Sequence, residues 1–177
     1  MPASIPWPGR SPRGSLVLPL PWSFVPPLAT TFDLPEAPFA RKAELHLTLL
    51  SRREADAAAT TLPVDEWPDW YARHDWRPRL TDRWFLLQAK ADDHVTRSVV
   101  AEVECDALNA FRREFGYAAA VTLEATLPHV TLWTDDAPNG IGVASLADFE
   151  TKCVRRLTAR ERQSGIASEK SGTVPDS

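Results

Sequence analysis

Glycine is scarce in this chain. Seven occur in 177 residues, and neither GxGxxG nor GxxxxGK[ST] is among them. That excludes the glycine-rich loops in which many nucleotide-binding folds cradle a phosphate. Cysteine is scarcer still: Cys105 and Cys153 make neither a disulfide framework nor a four-cysteine zinc site. Among apolar neighbours they read as buried free thiols of a reducing compartment. No apolar run reaches the ~18 residues of a membrane span. Positive charge is not in excess either, since 20 Lys and Arg against 24 Asp and Glu give −4. A protein that coats duplex DNA normally carries a basic face, so that class is excluded. A small phosphorylated ligand held in a cleft is not. What remains, 44% hydrophobic and 25% charged residues, is the composition of one folded domain with a real core.

Proline is distributed unevenly. Ten of the sixteen fall in the first 38 residues, so residues 1–40 are predicted to form an extended arm, either laid over the body through Trp22, Phe24 and Phe32 or partly disordered. Arg10 and Arg13 precede an apolar stretch, but Pro19, Pro21, Pro26 and Pro27 break the helix of a signal peptide, and a cytoplasmic location is expected. Residues 41–162 carry the patterned body, and residues 163–177 read as a loose polar tail.

Within the body the elements alternate. Residues 43–50 alternate in period two, and Ser51 with Glu54 is a capping box opening an Ala-rich helix. The Trp-rich stretch 67–76 supports at most a turn or two of helix. A hairpin is predicted over 83–104 about Asp92-Asp93, followed by a helix from Asp106 to Gly116. Strand-like runs follow at 119–123 and 129–133. Leu146, Phe149, Cys153 and Leu157 mark a last helix capped by Ser145. The class is α+β.

One tetrapeptide recurs. His46-Leu47-Thr48-Leu49 and His129-Val130-Thr131-Leu132 share the pattern His-x-Thr-Leu, 83 positions apart. Each sits in a period-two run, so imidazole and hydroxyl project from one face while the apolar residues enter a core. Two such strands facing one another place two imidazoles and two hydroxyls around one polar cleft, which suits in-line displacement at phosphorus. One histidine takes a proton from water and the other gives one to the leaving oxygen. The threonines donate to the phosphate oxygens, and the chemistry needs no cofactor and no metal. His94-Val95-Thr96 also fits His-x-Thr, but it lies at the predicted hairpin tip and reads as a solvated turn residue. His74, between Arg73 and Asp75, reads as a surface residue.

Leu45-His46-Leu47-Thr48-Leu49 and Pro128-His129-Val130-Thr131-Leu132 resemble the two signature motifs of the two-histidine phosphoesterase superfamily. That group includes RNA 2′,3′-cyclic phosphodiesterases, also called 2′-5′ RNA ligases, and plant-type cyclic phosphodiesterases. The resemblance covers residues 41–157. It implies a bilobal fold, with two antiparallel sheets around a central cleft and helices outside. It also implies metal-independent hydrolysis or transfer at 2′,3′-cyclic or 2′-5′ phosphodiester bonds of a nucleotide or RNA end.

Other residues are candidates for binding substrate. Trp133, in phase with His129 and Thr131, is placed to stack on a base or to fill the core. Arg41 and Lys42, with Arg52 and Arg53, bracket the first motif and offer phosphate-binding charge. Trp67, Trp70, Trp76 and Trp84 among arginines form an aromatic-basic cluster of the kind that binds single-stranded nucleic acid, although five carboxylates offset it. Two other classes stay open: a metallohydrolase using His46, His129 and Asp135 or Asp136, and a non-catalytic nucleotide- or RNA-binding module.

Overall fold

The alternation of residues 45–50 forms a strand, β4 (Leu45–Leu50), with Leu45, Leu47 and Leu49 buried and His46 and Thr48 half-buried on the other face. Its antiparallel partner in the computed structural model, which describes residues 5–167, is β1 (Leu16–Leu20). Pro19 stands opposite His46 and Val17 opposite Thr48. In this two-stranded sheet a proline costs no ladder bond on its outer side, so β1 tolerates Pro19 while burying Leu16, Leu18 and Leu20.

The second sheet has six antiparallel strands in the order β2 (Thr31–Leu34), β3 (Ala37–Arg41), β7 (His129–Thr134), β6 (His94–Glu104), β5 (Arg79–Ala91), β8 (Cys153–Arg156). It curls strongly. Its two edges, β2 and β8, are drawn together where Arg155 of β8 bonds both Glu36, in the β2–β3 turn, and Glu161 of the helix α5 (Ala159–Gly165). The sheets meet where β4 packs along β7, and the Lys42 amide donates to the Leu132 carbonyl. That junction brings the two tetrapeptides side by side.

The large sheet buries both faces unequally. Val99, Ala101, Val130, Leu132 and Trp133 enter the main core, which is covered by α1 (Arg52–Ala58), α2 (Trp67–Ala72) and α3 (Asp106–Ala118). On the opposite face Leu87, Val100 and Ile141 make a smaller cluster beneath residues 137–144 and α4 (Leu146–Lys152). His129 and Thr131 stand opposite Glu102 and Val100 of β6, so they belong to this second face. Among the described residues no helix is long and apolar enough to cross a membrane.

The α+β class, the capping box at Ser51 and Glu54, the hairpin about Asp92 and the Ser145 cap all stand as predicted. Six expectations are corrected. The proline-rich segment is no appendage, because it supplies β1, β2 and β3 and buries Phe32, Leu34 and Phe39. α3 runs past Gly116 and ends in a Schellman motif, with Ala120 left-handed at φ 52° and the Val121 amide bonded to the Gly116 carbonyl. The chain therefore folds back, α3 side chains take backbone groups of Glu124 and Thr126, and residues 119–123 form no strand. The last helix stops at Lys152 because Cys153–Arg156 pairs with β5 instead, so tertiary pairing overrides the helical period. Residues 163–165 of the expected tail belong to α5, while residues 168–177 lie outside those described. His74 is nearly fully buried, edge-on to Trp76 and Phe111.

Candidate active site

His46, Thr48, His129 and Thr131 all line one cleft of about 310 Å³. β4 and β7 place them there by the alternation that sends Leu47, Leu49, Val130 and Leu132 into the core. The facing wall is the segment Gly140–Ala144, with Asp148 and Lys152 of α4. Lys152 donates to the Gly142 carbonyl and to Asp148, both at 2.7 Å, and Asp148 accepts from the Ala144 amide at 2.8 Å, which pins this wall. A side chain at Gly140 would sit 3.5 Å from the Thr131 methyl and 3.7 Å from its hydroxyl. Glycine there leaves the space over Thr131 open.

The two imidazoles differ in their surroundings. His129 Nδ1 lies 2.8 Å from the Leu127 carbonyl. A carbonyl only accepts, so Nδ1 carries the proton and Nε2 is left as the basic nitrogen. Burial holds His129 below the usual value near 6.5, the Leu127 bond opposes this, and the neighbouring His46 adds to the depression. Neutral imidazole is the form such a setting favours. His46 is also held low by burial, with Lys42 and Arg13 contributing, but Glu44 opposes them. Its Nδ1 is buried without a hydrogen bond and lies 3.6 Å from the exposed Glu44 carboxylate. Only His46 therefore has a counter-ion at hand for an added proton.

Behind the site α3 carries two side chains that hold both motif strands. Arg112, buried, donates to the Leu49 carbonyl beside Thr48, to the Glu124 carbonyl and to Glu54. Asn109 grips Thr126 through both backbone groups at 3.1 Å, one residue before the carbonyl that orients His129. Asn109→Ala is expected to free that carbonyl and cost His129 its fixed tautomer, typically 10–100-fold in activity by analogy with lost orienting partners. A stability change with unaltered activity and pH profile would contradict this role.

The remaining candidates separate. Lys42 lines the cleft and donates from Nζ to the Pro138 carbonyl. Arg41 lies outside the cleft, bonded to the Leu28 carbonyl and stacked 5.0 Å from the Trp22 ring. Trp133 is corrected to a core residue: it is fully buried, donates to the Ala29 carbonyl and packs 4.7 Å from Phe32. The reason is a bulge. Thr131 pairs with Val100 and Trp133 with Val99, so Leu132 is an extra residue and the period-two phase breaks before Trp133. Trp67, Trp76 and Trp84 are core residues as well; Trp70 keeps Arg73 at 3.8 Å, and the Trp67 ring is met by Arg10 at 5.8 Å. Arg52 and Arg53 are exposed on α1 and do not line the cleft. Asp135 is bound to Arg97 and Asp136 lies 3.4 Å from His94, which is exposed at the hairpin tip as expected, so neither carboxylate joins His46 and His129. Sequence reasoning missed Arg13, Ser51 and Lys152, which also line the cleft. Of the missed wall, only the pair Gly140 and Gly142 in a glycine-poor chain left a signal. Compared with known proteins, the chain matches no family model and has no significant match among curated proteins or solved structures.

Proposed function

We propose that the chain is a metal-independent phosphodiesterase acting on 2′,3′-cyclic or 2′-5′ phosphodiester bonds of nucleotides or RNA ends, on a bilobal fold of the two-histidine phosphoesterase kind. The observation that carries this reading is the convergence of both His-x-Thr-Leu motifs on one cleft, with their histidines in unlike environments. Pairs of titratable groups whose surroundings differ in this way divide into acid and base.

In this mechanism His129 Nε2 accepts a proton from water as its oxygen attacks phosphorus. The bond from phosphorus to the departing ribose oxygen breaks, and His46, its imidazolium balanced by Glu44, protonates that oxygen. Thr48 and Thr131 donate to the non-bridging oxygens, whose negative charge Lys42 and Arg13 offset, the Lys152 charge being paired with Asp148. His129 leaves the step protonated and His46 neutral, and exchange with solvent resets them.

The pH dependence follows from the two depressed imidazoles. The base is active above its own pKa and the acid below its own, so the free-enzyme profile is a bell centred between them. Both lie below 6.5, which places the kcat/KM optimum on the acid side of pH 6.5. A bound phosphate raises the acid, so the alkaline limb of kcat should lie at higher pH than that of kcat/KM. An optimum above pH 7.5, measured with a nucleoside 2′,3′-cyclic phosphate, would contradict the assignment. Activity retained in excess chelator separates this reading from a metallohydrolase.

A further inference from the structure

A second cavity, of about 720 Å³, adjoins the first. Arg13, Lys42 and His46 line both, so whatever occupies the second touches the reacting group in the first. Its walls are the turn around Arg13, the outer side of β1 and the junction of β3 and β4. Arg13 and Lys42 stand in a lining whose one carboxylate is Glu44, while Pro19 and Pro138 are apolar surfaces. In a chain of net charge −4 this is a local surplus of cations.

The turn that presents Arg13 is braced. Pro12 presets its backbone, and the Gly14 amide closes it on the Ser11 carbonyl at 2.8 Å. Arg10 donates twice to the Gly14 carbonyl, at 2.9 and 2.7 Å, and is itself anchored on Asp56 of α1 at 2.5 Å. Gly14 sits at φ +87° with the Arg10 guanidinium 3.2 Å from where a Cβ would stand, so a larger residue is strained there. Arg10 spends its charge on Asp56 and Arg52 lies beside the same carboxylate, whereas Arg13 has no carboxylate partner among the described residues. An unpaired guanidinium on a held turn, bordering a reaction cleft, suits bidentate capture of an oxyanion.

We propose that the second cavity is a subsite for a second phosphate, the one on the 5′ side of the nucleoside whose 2′,3′ end reacts, held by Arg13 with Lys42. This rests on the phosphodiesterase reading of the cleft and adds a preference that cleft alone does not supply. A nucleoside whose 2′,3′ end lies between the histidines carries its next phosphate on its own 5′ carbon, so the two anion sites must adjoin, as these do. Pro19 and Pro138 in the lining of the second cavity offer the apolar surface such a nucleoside needs. The phosphate is supplied either by a terminal 5′-monophosphate or by the next linkage of an oligonucleotide.

The test compares kcat/KM for adenosine 2′,3′-cyclic phosphate, the same compound with a 5′-phosphate, and a dinucleotide ending in the same cyclic phosphate. The second phosphate is expected to raise kcat/KM by about tenfold or more, the size of a charge-assisted bond. A gain for the 5′-phosphorylated probe alone assigns a terminal phosphate, and a gain for the dinucleotide assigns a linkage; either supports the subsite. Arg13→Ala should bring the ratio close to one, with Arg13→Lys intermediate and thermal unfolding unchanged. Ratios near one in the wild type, or a ratio that survives Arg13→Ala, overturn the subsite. The same ratio is read without turnover, as affinity for adenosine 3′,5′-bisphosphate over adenosine 3′-monophosphate by calorimetry. A preference that disappears in Arg13→Ala sustains the subsite even if no probe is hydrolysed, in which case the phosphodiesterase reading alone falls. Equal affinities overturn the subsite whatever the kinetics show.

Discussion

His129→Ala is expected to lower the rate of cyclic phosphate opening by ~10²–10⁴-fold, the usual worth of a positioned base or acid. No other group lining the cleft can replace it. Lys42 and Lys152 are tied to backbone carbonyls, Asp148 is bonded to Lys152, and His46 lacks the carbonyl that sets the His129 tautomer. His46→Ala should cost a similar factor on an ordinary substrate, because the ribose oxygen then leaves unprotonated. The two variants part on a substrate whose leaving group needs no proton. That substrate should restore His46→Ala and leave His129→Ala impaired, and the reverse pattern would exchange the roles. Thr48→Val and Thr131→Val each remove one neutral donor to a charged group, worth about 1.5–3 kcal/mol, so their losses should be smaller. His94→Ala, with its side chain two-thirds exposed, should stay within about a factor of two.

The second large effect is on stability. Arg112→Ala should destabilise the fold by about 3–5 kcal/mol, the usual cost of breaking a buried ion pair from one side. The guanidinium spans three elements, and its loss strands the Leu49 and Glu124 carbonyls together with the Glu54 carboxylate. Denaturant unfolding of the wild type and variant measures this directly. A double replacement, Arg112→Met with Glu54→Leu, should recover much of the loss because no charge is then left unpaired. The effect depends on pH. Burial works against the charged form of Glu54, yet its bonds to Arg112 and Ser51 hold the carboxyl below its ordinary 4.5. A lowered carboxyl contributes stability above its unfolded value and loses it as pH falls through the folded one. The gap between wild type and variant should therefore narrow below pH 4.5, and a gap that widens there would contradict the pairing.

The grouping of His46, Thr48, His129 and Thr131 is legible because its signal is local. A period of two over Leu45–Leu49 and again over Val130–Leu132 is a property of each strand alone, and it says which side chains share a face. Trp133 was not legible in the same way. The bulge at Leu132 arises from pairing with Val99 and Val100, more than thirty positions back along the chain, and no local pattern carries it. β8 was lost for the same reason, since the free edge of β5 draws residues 153–156 out of a helical period. Arg13 reaches the cleft from a turn whose only local marks are Pro12 and Gly14, and its position is set by Asp56 on another element. The proline content of residues 1–40 read as exclusion from the sheets. It marks instead places where an amide is not needed on one side: Pro19 in the two-stranded sheet, and Pro38 in the part of β3 that pairs with β2 alone.

The most direct measurement follows a nucleoside 2′,3′-cyclic phosphate by phosphorus NMR in the presence of a chelator, with the wild type and the His46→Ala/His129→Ala double variant side by side. The cyclic signal should give way to a single monoester signal with the wild type and persist with the double variant. A cyclic ester left intact by the wild type, or opened equally by both proteins, would contradict catalysis by the paired histidines.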